Sequence, residues 1–266
     1  MEYIALGCMS GTSLDGIDCS LVKSDGDSYV TDISNEFIPY SDGLQLKLRN
    51  VILKGYLDDI KVINQLNQEY KDSINNFIKK NNFEIDLIAM HGQTIYHDQK
   101  TKISIQLFDK SIRFNTNSPV ICNFRKNDLL NGGNGAPIMP EFHRVLANQL
   151  DLKKVIFVNI GGVTNITVID NQKITAGDSS FGNAIVNDLI FEKTKERFDV
   201  DGSLSNNGQK IDLLFNRIIS DKYFLENLPK SLDRNYFHKY IDNSIKDKKL
   251  NDFIFTLLEV IPFAIN

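Results

Sequence analysis

The chain has 266 residues, 42% hydrophobic and 24% charged, which suits one large or two modest soluble globular domains and argues against disorder. A net charge of −4 and a pI near 5.6 argue against the Lys/Arg-rich face of a nucleic-acid binder and favour a small-molecule partner. The three cysteines, Cys8, Cys19 and Cys122, are odd in number and form no Cys-x-x-Cys pair, so neither a disulfide framework nor a zinc site is indicated.

The N-terminus opens with an acidic residue and lacks the basic and apolar regions of a signal peptide. No apolar run approaches the roughly 20 residues that span a bilayer. These features predict a reduced, cytoplasmic protein with no membrane partner.

An apolar run over residues 3–6 leads into Gly7-Cys-Met-Ser-Gly-Thr-Ser-Leu-Asp-Gly-Ile-Asp18, and residues 17–22 then alternate apolar and polar as a half-buried strand does. The pattern predicts a β-hairpin. Glycines let a ligand approach the backbone, and Ser and Thr hydroxyls beside freed N–H groups form a concavity for anionic oxygens, so phosphate is a natural guest. On residue types alone an ordinary Gly/Ser/Asp turn is equally open. A Walker A loop is excluded, because no Lys follows the second Gly and no helix pattern opens there.

Residues 28–37 supply a third strand, and a helix is predicted over 42–53. Over 59–80, Ile60, Ile63, Leu66, Tyr70, Ile74, Phe77 and Ile78 recur at helical spacing, with Asn81-Asn82 as a stop. Residues 85–90 read as a central strand covered on both faces. His91-Gly-Gln-Thr-Ile-Tyr-His97 then sits on a loop at its carboxyl end, where open α/β sheets bind ligands. No Asp, Glu or Cys completes a metal set with the two histidines, so no metal ligands are assigned; a satisfied loop histidine is the plain alternative.

Short strands are predicted over 104–108 and 120–123. Phe124-Arg-Lys-Asn-Asp128 follows, then Asn131-Gly-Gly-Asn-Gly-Ala-Pro137, the clearest linker by composition, and the domain boundary is placed there. Three further strand-like runs, over 154–159, 163–170 and 174–177, repeat the opening meander, with Asn159-Ile-Gly-Gly-Val-Thr-Asn-Ile-Thr167 as a second hairpin. Asp178-Ser-Ser-Phe-Gly-Asn183 lies between the last run and a helix predicted from residue 184 to about 198, where a carboxylate is often only an N-cap. Asp199 and Asp201 read as solvated loop carboxylates, and helices are predicted over 234–241 and 250–261.

Met9-Ser-Gly-Thr-Ser-Leu-Asp-Gly-Ile-Asp18 resembles the N-terminal signature of the anhydro-N-acetylmuramic acid kinase family, within the sugar kinase, actin and chaperone-ATPase superfamily. Met9 stands where many members of that superfamily have Asp. The resemblance extends through His91-Gly-Gln-Thr94, Phe124-Arg125 with Asp128, the Gly-Gly-x-Gly-Ala-Pro run, the second hairpin, Asp178 with Gly182 and Asn183, residues 198–203 with Gly208, and Leu228-Pro-Lys-Ser231 with Asp233-Arg234. It implies an α/β fold of two ribonuclease H-like (actin-like ATPase) domains around a cleft lined by the glycine-rich loop: a phosphate-binding domain over 1–131 and a second over 132–266.

The resemblance further implies an ATP- and Mg²⁺-dependent kinase of 1,6-anhydro-N-acetylmuramic acid, an amino sugar of cell-wall turnover, with a homodimer compatible. Gly11, Thr12, Ser13, Leu14, Asp15, Gly16, Ile17, Asp18, Asn159, Gly161 and Gly162 would bind ATP. His91, Gln93, Thr94, Gly182 and Asn183 would bind the sugar, and Asp178 would be the catalytic base. The family's usual Asp-Thr-Gly-Pro-Gly-Asn is here Asp178-Ser-Ser-Phe-Gly-Asn183, a departure expected to reshape the loop or crowd the sugar. Family chains usually continue for roughly a hundred further residues, a comparison drawn from the resemblance rather than from domain counting. A truncated second domain is therefore expected, with low solubility and an inactive remnant as the alternative function. A polymerising actin-like protein is disfavoured by His91-Gly-Gln-Thr94 and Asp178.

Overall fold

The computed structural model describes residues 1–11, 13–54, 56–57, 59–98, 100–241 and 249–266. The chain is an α/β protein with one mixed and one antiparallel sheet, and it divides into two compact units, Met1–Lys153 and Lys154–Asn266.

In the first unit, β1 (Tyr3–Ser10), β2 (Gly16–Ser24) and β3 (Val30–Pro39) form the expected antiparallel meander. The other edge of β1 is taken in parallel by β4 (Leu87–Asp98), which also pairs with β5 (Ile103–Leu107) and, near its start, with the short β6 (Val120–Ile121). A parallel neighbour needs a long crossover. That connection carries α1 (Asp42–Lys54) and α2 (Ile60–Asn81).

The boundaries of α2 follow from its caps. Asp59 accepts the Lys61 N–H at 2.8 Å, and Asn82 closes the helix in a left-handed conformation with φ of 51°. Val62, Leu66, Tyr70, Ile74 and Phe77 are its buried face, joining Leu6, Leu21 and Ile88 of the sheet in one core.

The division falls beyond the glycine-rich run at which the sequence places it. α3 (Phe124–Leu130) and α4 (Pro140–Gln149) both belong to the first unit. The Gln149 amide exchanges two hydrogen bonds with the Val30 backbone, at 3.0 and 3.1 Å, and Arg144 donates to the Asp27 carbonyl. Turn and helix are thereby fastened together. The glycine-rich run is a shaped loop: the Asp128 carboxylate accepts the Gly135 N–H at 2.6 Å, and a Cβ at Gly133 would land on that carboxylate.

The second unit begins with the repeated meander β7 (Lys154–Ile160), β8 (Val163–Asp170) and β9 (Lys173–Phe181). Helices α5 (Asn183–Thr194), α6 (Asp212–Ile219) and α7 (Leu250–Ile265) pack with it around Ile185, Leu189, Ile218, Phe237 and Leu257. Helix α5 is shorter than its sequence pattern suggests, ending at a left-handed Lys195. The helix expected over 234–241 is a 3₁₀ turn, Tyr236–Tyr240.

Two differences bear on function. The His91–Thr94 motif lies inside β4 rather than on a loop after it, and Asp178 lies inside β9 rather than between strand and helix. Both strands run on because their backbone groups find partners beyond the apolar core: Gln93 and Thr94 pair with β5, and Asp178 pairs with Asn165 of β8.

Gly16 is a packing glycine. A Cβ there would strike the Ile38 carbonyl and the Phe37 ring. Gly16→Ala is therefore expected to destabilise the first unit by about 1–3 kcal/mol, measured as a lowered urea midpoint.

Candidate active-site residues

The first hairpin is held from below. Leu14, with φ of 63° and 1% exposure, buries its side chain in the core, and its N–H points to the Gly11 carbonyl at 3.4 Å. A buried residue in the left-handed region is costly unless its surroundings fix it. Here the core does so, leaving Asp15 and Asp18 on the outside, with Ser13 Oγ donating to Asp15 Oδ1 at 2.6 Å. The loop ends are tied as well. Gly11 O accepts from Gln93 Nε2 at 2.9 Å, and Asp15 O accepts from Tyr40 N at 2.9 Å. Thr12 lies outside the described residues, and Ile17 is a core residue with 1% exposure.

Partial burial, and secondly the charge of Asp15, push the Asp18 carboxyl above the usual carboxylate range.

β4 carries the next group. Its pairing with β1 slips between Cys8 and Ser10, so that Met90 faces Cys8 while Gln93 faces Ser10. The extra residue is a bulge built on Gly92, whose φ is 77° and where a Cβ would stand 2.8 Å from the Leu107 carbonyl. His91 Nε2 accepts from Arg125 Nε at 3.0 Å, which assigns the proton to Nδ1, donating to Gly92 O at 2.7 Å. Burial first, and the Arg125 charge second, pull the His91 pKa down to about 4. His91 is thus neutral at pH 7.

Arg125 Nη1 continues to Gly135 O at 2.8 Å, so His91 supports the glycine-rich loop. Gln93 is fully buried and Thr94 half-buried.

In the second unit, Asn159 is exposed, Gly161 half-buried and Gly162 buried. The Gly161 and Gly162 carbonyls accept the Asn183, Gly182 and Ala184 N–H groups at 2.8–3.2 Å, so the hairpin and the start of α5 form one piece. Gly182 is required for it, since a Cβ would strike the Gly161 carbonyl; Asn183 is exposed, its Nδ2 3.3 Å from Ile160 O.

Asp178 is 8% exposed, and its Oδ2 accepts the Leu232 N–H at 2.8 Å. The N-cap of α5 is Gly182, so Asp178 is not a helix cap. Its backbone is gripped too: Asp178 N donates to Lys230 O at 2.8 Å, and Tyr223 Oη donates to Asp178 O at 2.6 Å. Lys230 Nζ in turn donates to Tyr223 O and lies 4.3 Å from that ring.

Sequence reasoning missed Tyr223 and the hub beneath it, Asp221. Asp221 accepts from Tyr223 N, Tyr236 Oη, Tyr240 Oη and Lys239 Nζ at 2.6–2.9 Å. Burial alone would raise its pKa, but these donors bring it down to about 2. Four aromatic residues within residues 223–237 were the available signal.

The Phe181 side chain, expected to crowd the site, is 1% exposed and packs edge-on against Phe237 at 5.1 Å. Asp199 accepts the Leu204 and Ser205 N–H groups at 2.7 and 2.9 Å, the ordinary work of a loop carboxylate. Among the described residues no group of three His, Cys, Asp or Glu side chains could hold a metal ion, and no helix is long and apolar enough to cross a membrane.

A mixed-sheet α/β protein with a glycine-rich hairpin closing its first two strands, and an oriented buried carboxylate on a second sheet, has the parts of a sugar-kinase-type enzyme. The family model for anhydro-N-acetylmuramic acid kinase matches residues 2–265, and the chain belongs to that family. It is 34% identical over 273 residues to the anhydro-N-acetylmuramic acid kinase of Pelagibacter ubique, covering 97% of this chain and 72% of the relative. The kinase of the same name from Gluconobacter oxydans is 34% identical over 95% of this chain and 74% of its own length, and one from Rhodopseudomonas palustris is 32% identical over 89% and 69%.

His91 makes a testable contribution to pH stability. Its folded pKa of about 4 lies below the ordinary 6.5, so the unfolded chain takes up the proton first. The stabilisation, of order 3 kcal/mol, is complete above about pH 6.5 and is lost as pH falls towards 4. Urea midpoints between pH 7 and 4 should fall steeply for the native protein and less for His91→Gln.

Proposed function

We propose that this protein is an ATP-dependent kinase of 1,6-anhydro-N-acetylmuramic acid, working in the cytoplasm on amino sugar recycled from peptidoglycan, with its two units acting as ribonuclease H-like domains of the actin-like ATPase class. The observation that carries the proposal is Asp178, a buried carboxylate whose Oδ2 is fixed by the Leu232 N–H. A general base needs such orientation within hydrogen-bond reach of the proton it takes.

On this reading, water attacks the anomeric carbon as the bond from that carbon to the bridging 6-oxygen breaks, and Asp178 accepts the water's proton. The 6-oxygen takes the γ-phosphoryl group as the bond to the β-phosphate oxygen breaks, giving N-acetylmuramic acid 6-phosphate and ADP. The first hairpin, residues 11–18, holds the phosphates, and Asn159, Gly161 and Gly162 contact the nucleotide. Thr94, Gly182 and Asn183 belong to the sugar, and His91 steadies Arg125, which holds the glycine-rich loop through Gly135 O.

Mg²⁺ keeps several waters and needs only one or two carboxylates beside substrate phosphates, so no dedicated cage is required. Asp15 and Asp18 are the acidic groups of the hairpin that suit it, and the ion would offset phosphate charge. The chain acts alone or as a homodimer.

One observation favours a second reading, in which the protein binds nucleotide or sugar without turnover. β7 is an edge strand among the described residues, with Ile156, Val158 and Ile160 at 56%, 42% and 48% exposure. Such an edge invites association and poor solubility. A coupled ADP-release assay with anhydro-sugar, ATP and Mg²⁺ separates the two: sugar-dependent ADP release supports the kinase, whereas ligand binding without release supports the second. Asp178→Asn should lower turnover by about 10²–10⁴-fold and leave nucleotide affinity intact. Near-native turnover in that variant would remove Asp178 from the mechanism.

A further inference from the structure

We propose that Gln93 is a positioning residue for the phosphate-binding hairpin rather than a contact to the sugar; the proposal rests on the reading that the hairpin holds nucleotide phosphates. Gln93 has no exposed surface. Its side-chain amide is instead built into the protein. Nε2 donates to Gly11 O at 2.9 Å, the carbonyl that opens the loop and to which the Leu14 N–H also points.

Its Oε1 lies 3.4 Å from the Tyr40 hydroxyl, a long contact that becomes meaningful through what surrounds it. Tyr40 Oη donates to Ser10 Oγ at 2.7 Å, and Ser10 Oγ and Tyr70 Oη are 3.0 Å apart. Ser10, Tyr40 and Tyr70 are 1%, 3% and 0% exposed. Buried polar groups at that depth have to satisfy one another, and a connected set fixes one geometry.

The same set reaches both ends of the loop. Gln93 holds Gly11 through its side chain, and Tyr40 holds Asp15 O through its backbone N–H. The Gln93 amide faces both groups, its nitrogen donating to Gly11 O and its oxygen turned towards the Tyr40 hydroxyl. The bulge at Gly92 brings Gln93 opposite Ser10; without the extra residue, Gly92 would stand there. The hairpin backbone that would cradle phosphate is therefore shaped from beneath by β4.

The test compares the two ligands. Nucleotide affinity is measured by calorimetric titration with ATP and Mg²⁺, and sugar use by its KM, in the full chain, with circular dichroism as the check on folding. Gln93→Met matches the volume and removes the donor. It should weaken nucleotide binding about five- to tenfold, the worth of one net hydrogen bond, while the sugar KM stays within about twofold. Tyr40→Phe, which keeps the N–H on Asp15 O, should weaken nucleotide binding in the same direction by less.

Should Gln93→Met fail to fold, Gln93→Asn carries the same expectation, because its shorter side chain withdraws the donor from Gly11. Unchanged nucleotide affinity in the folded Gln93 variant would overturn the proposal. So would a selective loss of sugar binding. A native protein that binds no ATP would instead overturn the kinase reading, and this proposal with it.

Discussion

The bulge at Gly92 is the constraint on which the first unit depends. β4 is an interior strand, bonded to β1, β5 and β6, and a slip of one residue there redirects every side chain that follows. The slip sets Gln93 opposite Ser10 and leaves His91 facing Arg125. Glycine is required for two reasons at once, a φ of 77° and the closeness of the Leu107 carbonyl. One backbone irregularity thus sets the hairpin on one side, through Gly11, and the glycine-rich loop on the other, through Arg125 and Gly135. The His-Gly-Gln-Thr motif is in this sense architectural before it is chemical. Its histidine is uncharged and its glutamine is enclosed.

The second unit solves a different problem, holding a carboxylate still in a small sheet. β9 reaches Asp178 at a point where its pairing with β8 shifts between Thr164 and Asn165. Regular ladder bonds alone do not define the backbone there. The irregular segment over 228–232 supplies the missing bonds, approaching so closely that a Cβ at Gly177 would stand 2.6 Å from Lys230 O. That segment is itself steadied by Lys230 on Tyr223, and Tyr223 by the four donors converging on Asp221. A charge with low pKa and several charge-assisted partners is a firm anchor, because each donor loses its partner if the carboxylate moves. The order runs from Asp221 through Tyr223 to Asp178.

Legibility in the sequence follows the range of the forces involved. The helix over 59–80 and both meanders could be read because apolar periodicity and turn residues are local, and Asp59 and Asn82 mark the ends of α2 as their chemistry suggests. The bulge could not. A glycine after a histidine reads as the start of a loop, and only the Cys8–Ser10 pairing partner reveals that the strand continues. Asp178 was misplaced for the same reason, since the bonds that keep it in β9 come from Asn165, Lys230, Tyr223 and Leu232, up to 54 residues away. Recognition of motifs found the residue without its setting. Nor did the motif show that Gln93 is enclosed, with its amide donating to Gly11 O.

The Ser179-Ser180-Phe181 departure shows how a change beside a catalytic candidate can be absorbed by the interior. The register shift beside Asp178 adds one residue to β9 before Phe181, which pairs with Val163 at the strand end. There Phe181 lies in the core with Ile185, Leu189 and Phe237. Its carbonyl is held by Thr164 Oγ1 at 3.0 Å, which fixes the strand end just before Gly182 and Asn183. Its ring meets Phe237 at 5.1 Å, and Phe237 meets Tyr223 edge-on at 5.9 Å. Tyr223 is the residue whose hydroxyl holds the Asp178 carbonyl. The added aromatic bulk therefore contacts the packing that supports Asp178 from behind, and the β9 backbone around the carboxylate is gripped at both ends.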